Sequence, residues 1–184
     1  MTVSGAIPAP RPIVPKAIRL EDDGRIPNNP RLPLLVYERV LDPGQGDLAA
    51  AFAALFAANG WGGIWYDGVF AFPHYHSTAH EALGIARGSA RLRLGGDRGI
   101  LLEVAAGDAL VLPAGTGHQK LGSTPDLLVV GAYPPGQSWD LLHGRPEERP
   151  RALARIARVP LPANDPLFGP EGPLPHLWRD AGVR

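Results

Sequence analysis

At 184 residues, 45% of them hydrophobic, the chain is long enough to bury a core and suits one domain. Basic and acidic residues balance at 18 each, and no basic run appears, which argues against partnership with nucleic acid or with an anionic membrane surface. The absence of cysteine excludes disulfides and thiolate metal sites.

Residues 1–16 carry four prolines and read as a flexible N-terminal arm. Strands are expected over 17–21 and 34–41, separated by the turn residues Asp22-Asp-Gly24 and Pro27-Asn-Asn-Pro30. A helix is expected over 47–59. Asp47 can cap it, Asn59-Gly60 can stop it, and Leu48, Phe52, Leu55 and Phe56 form one apolar stripe that would cover a sheet. From Trp61 the pattern turns to β. Strands are expected over 64–72, 81–87, 90–94, 100–104, 109–112 and 126–133, joined by glycine-rich turns. Short antiparallel strands at this spacing predict an all-β jelly roll or barrel over 17–133. Residues 134–184 are proline-rich, with a short helical segment near 147–157 and an extended run at Val159-Pro-Leu-Pro162. With Trp139, Phe168, Leu174 and Trp178 this arm is too apolar to hang free, and it is expected to wrap the barrel or a partner subunit. Nothing suggests a repeat or a second domain. The N-terminus lacks a signal-peptide pattern and no apolar run approaches ~18 residues, so a cytoplasmic protein is expected.

His74, His76, His80 and Glu81 place four potential metal ligands in eight residues, and His118 follows later. In an extended strand His74 and His76 point the same way, with Tyr66, Phe70 and Phe72 in the same parity. Glu81 lies five residues past His76, so Ser77-Thr-Ala79 must bend. On the strand that follows, Glu81, Leu83 and Ile85 share the bulky apolar face. His80 falls on the other face with Ala82, Gly84 and Ala86. Pro113-Ala-Gly115-Thr-Gly117 lets the backbone turn sharply and bring His118 in. Against this stands the plainer reading, in which a strand histidine is structural or solvated and His-x-His is a surface pair.

The row Gly68-x5-His74-x-His76-x4-Glu81-x6-Gly88 resembles the first motif of the cupins, and Gly107-x5-Pro113-x-Gly115-x2-His118 resembles the second. Gly122 stands where many cupins have Asn, which is not a ligand in that family. Looser similarity to the YjlB-like cupins runs over most of the chain, including Val129-Val-Gly-Ala-Tyr-Pro134 and the proline-rich tail. The resemblance implies a double-stranded β-helix, a homodimer, and one divalent transition metal (Fe, Mn, Ni, Co, Cu or Zn) held by His74, His76, Glu81 and His118.

Three imidazoles and a carboxylate leave room for water, substrate or dioxygen, as catalytic sites do. Ligation needs neutral imidazoles, so metal affinity should fall below about pH 6. Three chemistries remain open: oxygenase-type turnover of a small organic molecule, the commonest outcome in the family; metal-dependent isomerisation or lyase chemistry; and small-molecule binding without turnover. Candidate pocket residues are Tyr66, Phe70, Phe72, Leu83, Ile85, Leu110 and Leu112, with His80 as a supporting group or an outer-face histidine. Lys120 shares the parity of His118 and is either a contact for an anionic substrate or a solvated lysine. Tyr66 and Tyr75 are proton donors or packing residues, and Trp139, Asp140 and His143 are candidates for a lid.

Overall fold

The computed structural model describes residues 9–181. Among these residues nine strands make two antiparallel sheets: β1 (Lys16–Ile18), β2 (Leu34–Tyr37), β3 (Gly62–Asp67), β4 (Glu81–Arg87), β5 (Ser89–Leu94), β6 (Ile100–Ala105), β7 (Ala109–Leu112), β8 (His118–Ser123) and β9 (Leu128–Tyr133). The larger sheet has the order β1-β2-β7-β4-β9-β3 and the smaller β6-β5-β8. Three helices accompany them: α1 (Leu48–Ala58), α2 (Arg149–Ile156) and α3 (Pro173–Ala181).

Alternation along the strands decides where each side chain goes. Leu34, Val36, Leu83, Ile85, Leu110, Leu112 and Val129 fill the space between the sheets, meeting Leu92, Leu94 and Val104. Their neighbours Leu35, Tyr37, Ala82, Ala86, Val111 and Val130 face the other way, where Phe52 and Phe56 of α1 and Trp178 of α3 cover them. The large sheet is therefore apolar on both faces, with the jelly-roll interior on one side and a helical layer on the other. Helix α1 begins as its sequence predicts, with the Asp47 carboxylate accepting the Ala49 and Ala50 N–H groups. Asn59 closes it, and its side chain also reaches the Pro166 carbonyl at 2.9 Å.

Several strands are shorter than the alternation suggests. The strand expected over 34–41 stops at Tyr37, because Arg39 turns into the left-handed region with φ 49°. That over 17–21 pairs only as far as Ile18. The long strand expected over 64–72 ends at Asp67. It is an edge strand paired only with β9, its register slips between Gly62 and Trp65, and the Asp67 carboxylate caps the Gly68 N–H at 2.7 Å. Residues 68–73 are irregular, so the parity argument for Phe70 and Phe72 does not carry across them. Conversely, β8 is a full strand from His118 to Ser123, extending the parity expected of His118 and Lys120.

Of the expected N-terminal arm, residues 1–8 lie outside the described residues. The rest runs along the sheet, with the Arg11 N–H bonded to the Val40 carbonyl at 2.8 Å. The C-terminal arm crosses the mouth of the jelly roll and then its back. Tyr75 and Leu142 form a β-bridge. Asp165 is fully buried and accepts from the Tyr37 hydroxyl at 2.6 Å and from three backbone N–H groups, those of Leu167, Phe168 and Leu174. The Trp178 indole donates to the Pro33 carbonyl at 3.0 Å. Helix α3 is not among the expected elements, although its Leu174 and Trp178 pack on the barrel as the apolar character of the arm predicts.

Candidate metal centre

Three separate segments bring the histidines and Glu81 together. His74 and His118 exchange both backbone hydrogen bonds, at 3.2 and 2.9 Å, as an isolated antiparallel bridge. The Gly115 N–H donates to the His76 carbonyl at 2.7 Å, which ties the proline-glycine turn to the first motif. Gly115 sits at φ +95°, and a Cβ there would meet the Asn28 carbonyl oxygen at 2.5 Å, so only glycine fits. Glu81 opens β4 opposite Leu112 and projects to the interior, as the alternation requires.

One ligand atom from each of His74, His76 and His118 lies within 4.8 Å of the others, and all three residues are buried. Each ring donates from Nδ1 to a backbone carbonyl: His74 to Phe72 at 3.1 Å, His118 to Thr116 at 3.0 Å, and His76 to Asp140. A carbonyl only accepts, so Nδ1 carries the proton and the neutral ring presents the lone pair of Nε2. Glu81 Oε2 lies 3.4 Å from His76 Nε2 and 3.3 Å from His118 Nε2. It is buried, with no hydrogen-bond donor among the described residues. Nitrogen lone pairs and a carboxylate oxygen thus face one another away from water. A cation satisfies such a group of acceptors, and the residues fit a divalent metal of the nitrogen- and oxygen-preferring kind.

Electrostatics point the same way. Burial, together with the neighbouring His118 ring, pushes the His74 imidazole down to about 3 and keeps it neutral. At His76 burial also opposes charge, but the adjacent Glu81 outweighs it and the net direction is upward. At Glu81 burial favours the neutral acid, yet His76 and His118 hold the carboxyl well below its ordinary range. Glu81 is therefore held ionised, and a metal ion would compete with the proton that the carboxylate draws toward His76.

A cavity of about 470 Å³ opens above these residues. Tyr66, Phe70, Leu83 and Lys120, four of the residues named from sequence, are on its wall. The other pocket candidates are elsewhere. Ile85, Leu110 and Leu112 point to the interior, but they are buried in the packing between the sheets and do not line the cavity. Phe72 is stacked on Phe70 at 4.8 Å, outside the lining, because the strand expected to aim it inward ends at Asp67. His80 is turned to the opposite face from Glu81, as neighbouring residues in an extended chain must be. There its Nδ1 accepts the Ala114 N–H at 2.9 Å, its Nε2 donates to the Pro160 carbonyl at 3.2 Å, and its ring packs on Trp178. Burial pushes it down to about 3, so it is a neutral linker between the sheet and the C-terminal arm. Tyr75 packs with Ile26, Ala152 and Ile156.

Tyr133 is not among the residues expected at the centre, and Asp140, expected only as part of a lid, supports His76 directly. Tyr133, at the end of β9, donates its hydroxyl to Glu81 Oε1 at 3.0 Å and accepts from the Trp65 indole at 2.9 Å. Its parity with Gly131, opposite Leu83, is the available signal. Asp140 comes from the arm. Besides the His76 contact made by its carbonyl, Asp140 accepts the Ser77 N–H at 2.6 Å and the Ser77 hydroxyl through its carboxylate. Trp139 lies on the cavity wall, 5.6 Å from the His76 ring, and His143 lies 5.3 Å from Phe72.

A two-sheet antiparallel jelly roll with histidines and a glutamate gathered at its open end is the architecture of a cupin. No family model matches the chain. It is, however, 44% identical over 158 residues to the uncharacterized protein YjlB of Bacillus subtilis (strain 168), covering 85% of this chain and 92% of that one. The chain belongs to the YjlB family of cupins. Among solved structures it is similar to an acireductone dioxygenase from Bacillus anthracis with a cadmium ion in its active centre, at 14% identity and a TM-score of 0.41, covering 59% of this chain and 82% of that one. It is also similar to a mutant of Bacillus subtilis oxalate decarboxylase, at 15% identity and a TM-score of 0.33, covering 60% of this chain and 27% of the decarboxylase.

Proposed function

We propose that this protein is a metal-dependent enzyme of the oxygenase type that acts on a small organic molecule. His74, His76, His118 and Glu81 would hold one divalent transition ion (Fe, Mn, Ni, Co, Cu or Zn). The observation that carries the reading is the buried, unpartnered Glu81 Oε2 facing imidazoles whose Nδ1 atoms are all committed to carbonyls. A bound ion supplies Lewis acidity and, when redox-active, electrons for dioxygen chemistry. The chain's own residues supply the rest. The carbonyls of Phe72, Thr116 and Asp140 fix the ring orientations, and Tyr133 fixes Glu81. Phe70, Leu83 and Trp139 line a largely apolar chamber that limits water around the reacting molecule. The cupin resemblance favours the oxygenase branch over isomerase or lyase chemistry and over binding without turnover. It also supports a homodimer, which light scattering reads directly.

The test is metal analysis of protein purified without an affinity tag, followed by oxygen-uptake screening of the iron-loaded enzyme. One equivalent of metal is expected in the wild type. A loss of at least about tenfold is expected in His76→Ala and Glu81→Gln, with the far-UV spectrum of the fold retained. Oxygen consumption with at least one class of organic substrate supports the oxygenase branch. Bound zinc alone, with no oxygen consumption on any class, sinks it.

A further inference from the structure

We infer that the cavity selects a small organic acid, its carboxylate held by the Lys120 ammonium and its apolar, planar body laid against Phe70 and Trp139. The inference rests on the reading of this cavity as the substrate chamber and adds the class of molecule it takes.

Lys120 stands two residues beyond His118 on β8, so it points the same way, with its Cα ~6.5–7 Å further toward the mouth. It lines the cavity and is half-buried, and among the described residues it makes no ion pair. Its neighbours in charge are accounted for. Glu81 lies among the histidines, its Oε2 3.4 and 3.3 Å from the Nε2 atoms of His76 and His118 and its Oε1 accepting from Tyr133. Asp67 is on the exposed rim, with its carboxylate accepting the Gly68 N–H. The Lys120 backbone is tied to the mouth loop, its N–H donating to the Phe70 carbonyl at 2.9 Å, and its Nζ lies beside Gly68, 3.9 Å from where a Cβ there would be. A half-buried cation without a partner gains most from an anion that replaces its lost hydration.

The wall beside it has the complementary character. Phe70 is 48% and Trp139 51% exposed, although both are large apolar side chains of the kind that folding normally covers. They face the chamber with Tyr133, which stacks on Trp139 at 6.3 Å. Aromatic faces flanking a single cation suit a flat apolar body carrying a carboxylate. The volume of about 470 Å³ is within the usual range for small-molecule sites and accepts a one-ring acid with room to spare.

The test is a ligand-observed NMR titration of the full chain, zinc-loaded, with benzoate, phenylacetate and 3-phenylpropanoate, each set against its neutral amide. At least one acid should bind, and its amide should bind at least about tenfold more weakly. Lys120→Met should weaken the acid by a similar factor and leave the amide unchanged, whereas Lys120→Arg should retain most of the affinity. Metal content measured on the same samples should be unaffected by either substitution. In His76→Ala, acid binding should still depend on Lys120, which separates this inference from the fate of the metal reading. Failure of all three acids to bind below about 10 mM overturns the inference. So does an affinity that survives Lys120→Met but disappears with the metal, which would place the carboxylate at the histidines instead.

Discussion

Replacing Tyr37 by Phe tests whether the C-terminal arm is clamped to the jelly roll by one buried carboxylate. Tyr37 and Asp165 are both fully buried, and the phenol donates to Asp165 Oδ2 at 2.6 Å. Burial, with the Asp165 charge beside it, pushes the phenol well above its usual range, so it remains a donor throughout the working pH range. A hydrogen bond to a charged group contributes about 1.5–3 kcal/mol. In Tyr37→Phe the carboxylate keeps three N–H donors, at 2.9, 3.2 and 3.1 Å, so the loss should fall at the lower end, near ~1.5–2 kcal/mol. For a chain of this size, that corresponds to a fall in Tm of roughly 3–8 °C. Asp165→Ala is different in kind, because it strands the phenol and three backbone donors at once. With each unsatisfied group costing ~1–3 kcal/mol, the penalty should exceed ~4 kcal/mol and threaten folding at ambient temperature. Thermal and urea melts followed by circular dichroism measure both variants. If Tyr37→Phe melted within about 1 °C of the wild type, or Asp165→Ala were no worse than Tyr37→Phe, the clamp would not be what holds the arm.

Three further outcomes are expected. Asp140→Ala, which frees the Ser77 backbone beside His76, should lower metal affinity ~10-fold or more by competition against a chelating dye, with the melting temperature little changed. Gly131→Ala should push the Trp65 indole aside, since a Cβ there would sit 1.9 Å from the ring. Overpacking of this kind costs ~1–3 kcal/mol, and the displaced indole should shift its fluorescence as it leaves Tyr133. Acid titration should reveal Asp23. Burial works against its charge, but the N–H groups of Ile26, Arg25 and Asp97 hold its carboxyl below the ordinary value of 3.8. The unfolded chain therefore binds the proton more readily than the fold does. The stabilisation is complete above about pH 4 and is lost as pH falls through the lower, folded value. Asp23→Asn should flatten that part of the stability profile, and an unchanged acid limb would show that Asp23 has no part in it.

Local alternation makes much of the site legible. Glu81, Leu83 and Ile85 point inward and His80 outward because β4 is continuous and paired on both sides, the condition under which a period of two holds. The same rule fails for Phe70 and Phe72, because residues 68–73 belong to no strand and the one backbone bond there, from the Lys120 N–H to the Phe70 carbonyl, does not make a ladder. The pocket wall is overestimated for a related reason: parity places Ile85, Leu110 and Leu112 on the interior face but does not say which interior side chains are covered by packing from the facing sheet. Tyr133 and Asp140 depend on contacts across 52 and 64 residues, which no local pattern encodes. Helix α3 begins at Pro173 and draws its stability from Leu174 and Trp178 packed on the sheet, so its proline-rich sequence alone reads as irregular.

The Asp140 carbonyl that fixes the His76 ring comes late in the polypeptide, after both cupin motifs are complete. During synthesis the histidines and Glu81 emerge first, yet one imidazole is free to rotate until the segment around Asp140 has been made and folded back. On the proposed metal reading, tight capture would wait on that later stretch, and nascent chains interrupted before it should remain poor scavengers of metal.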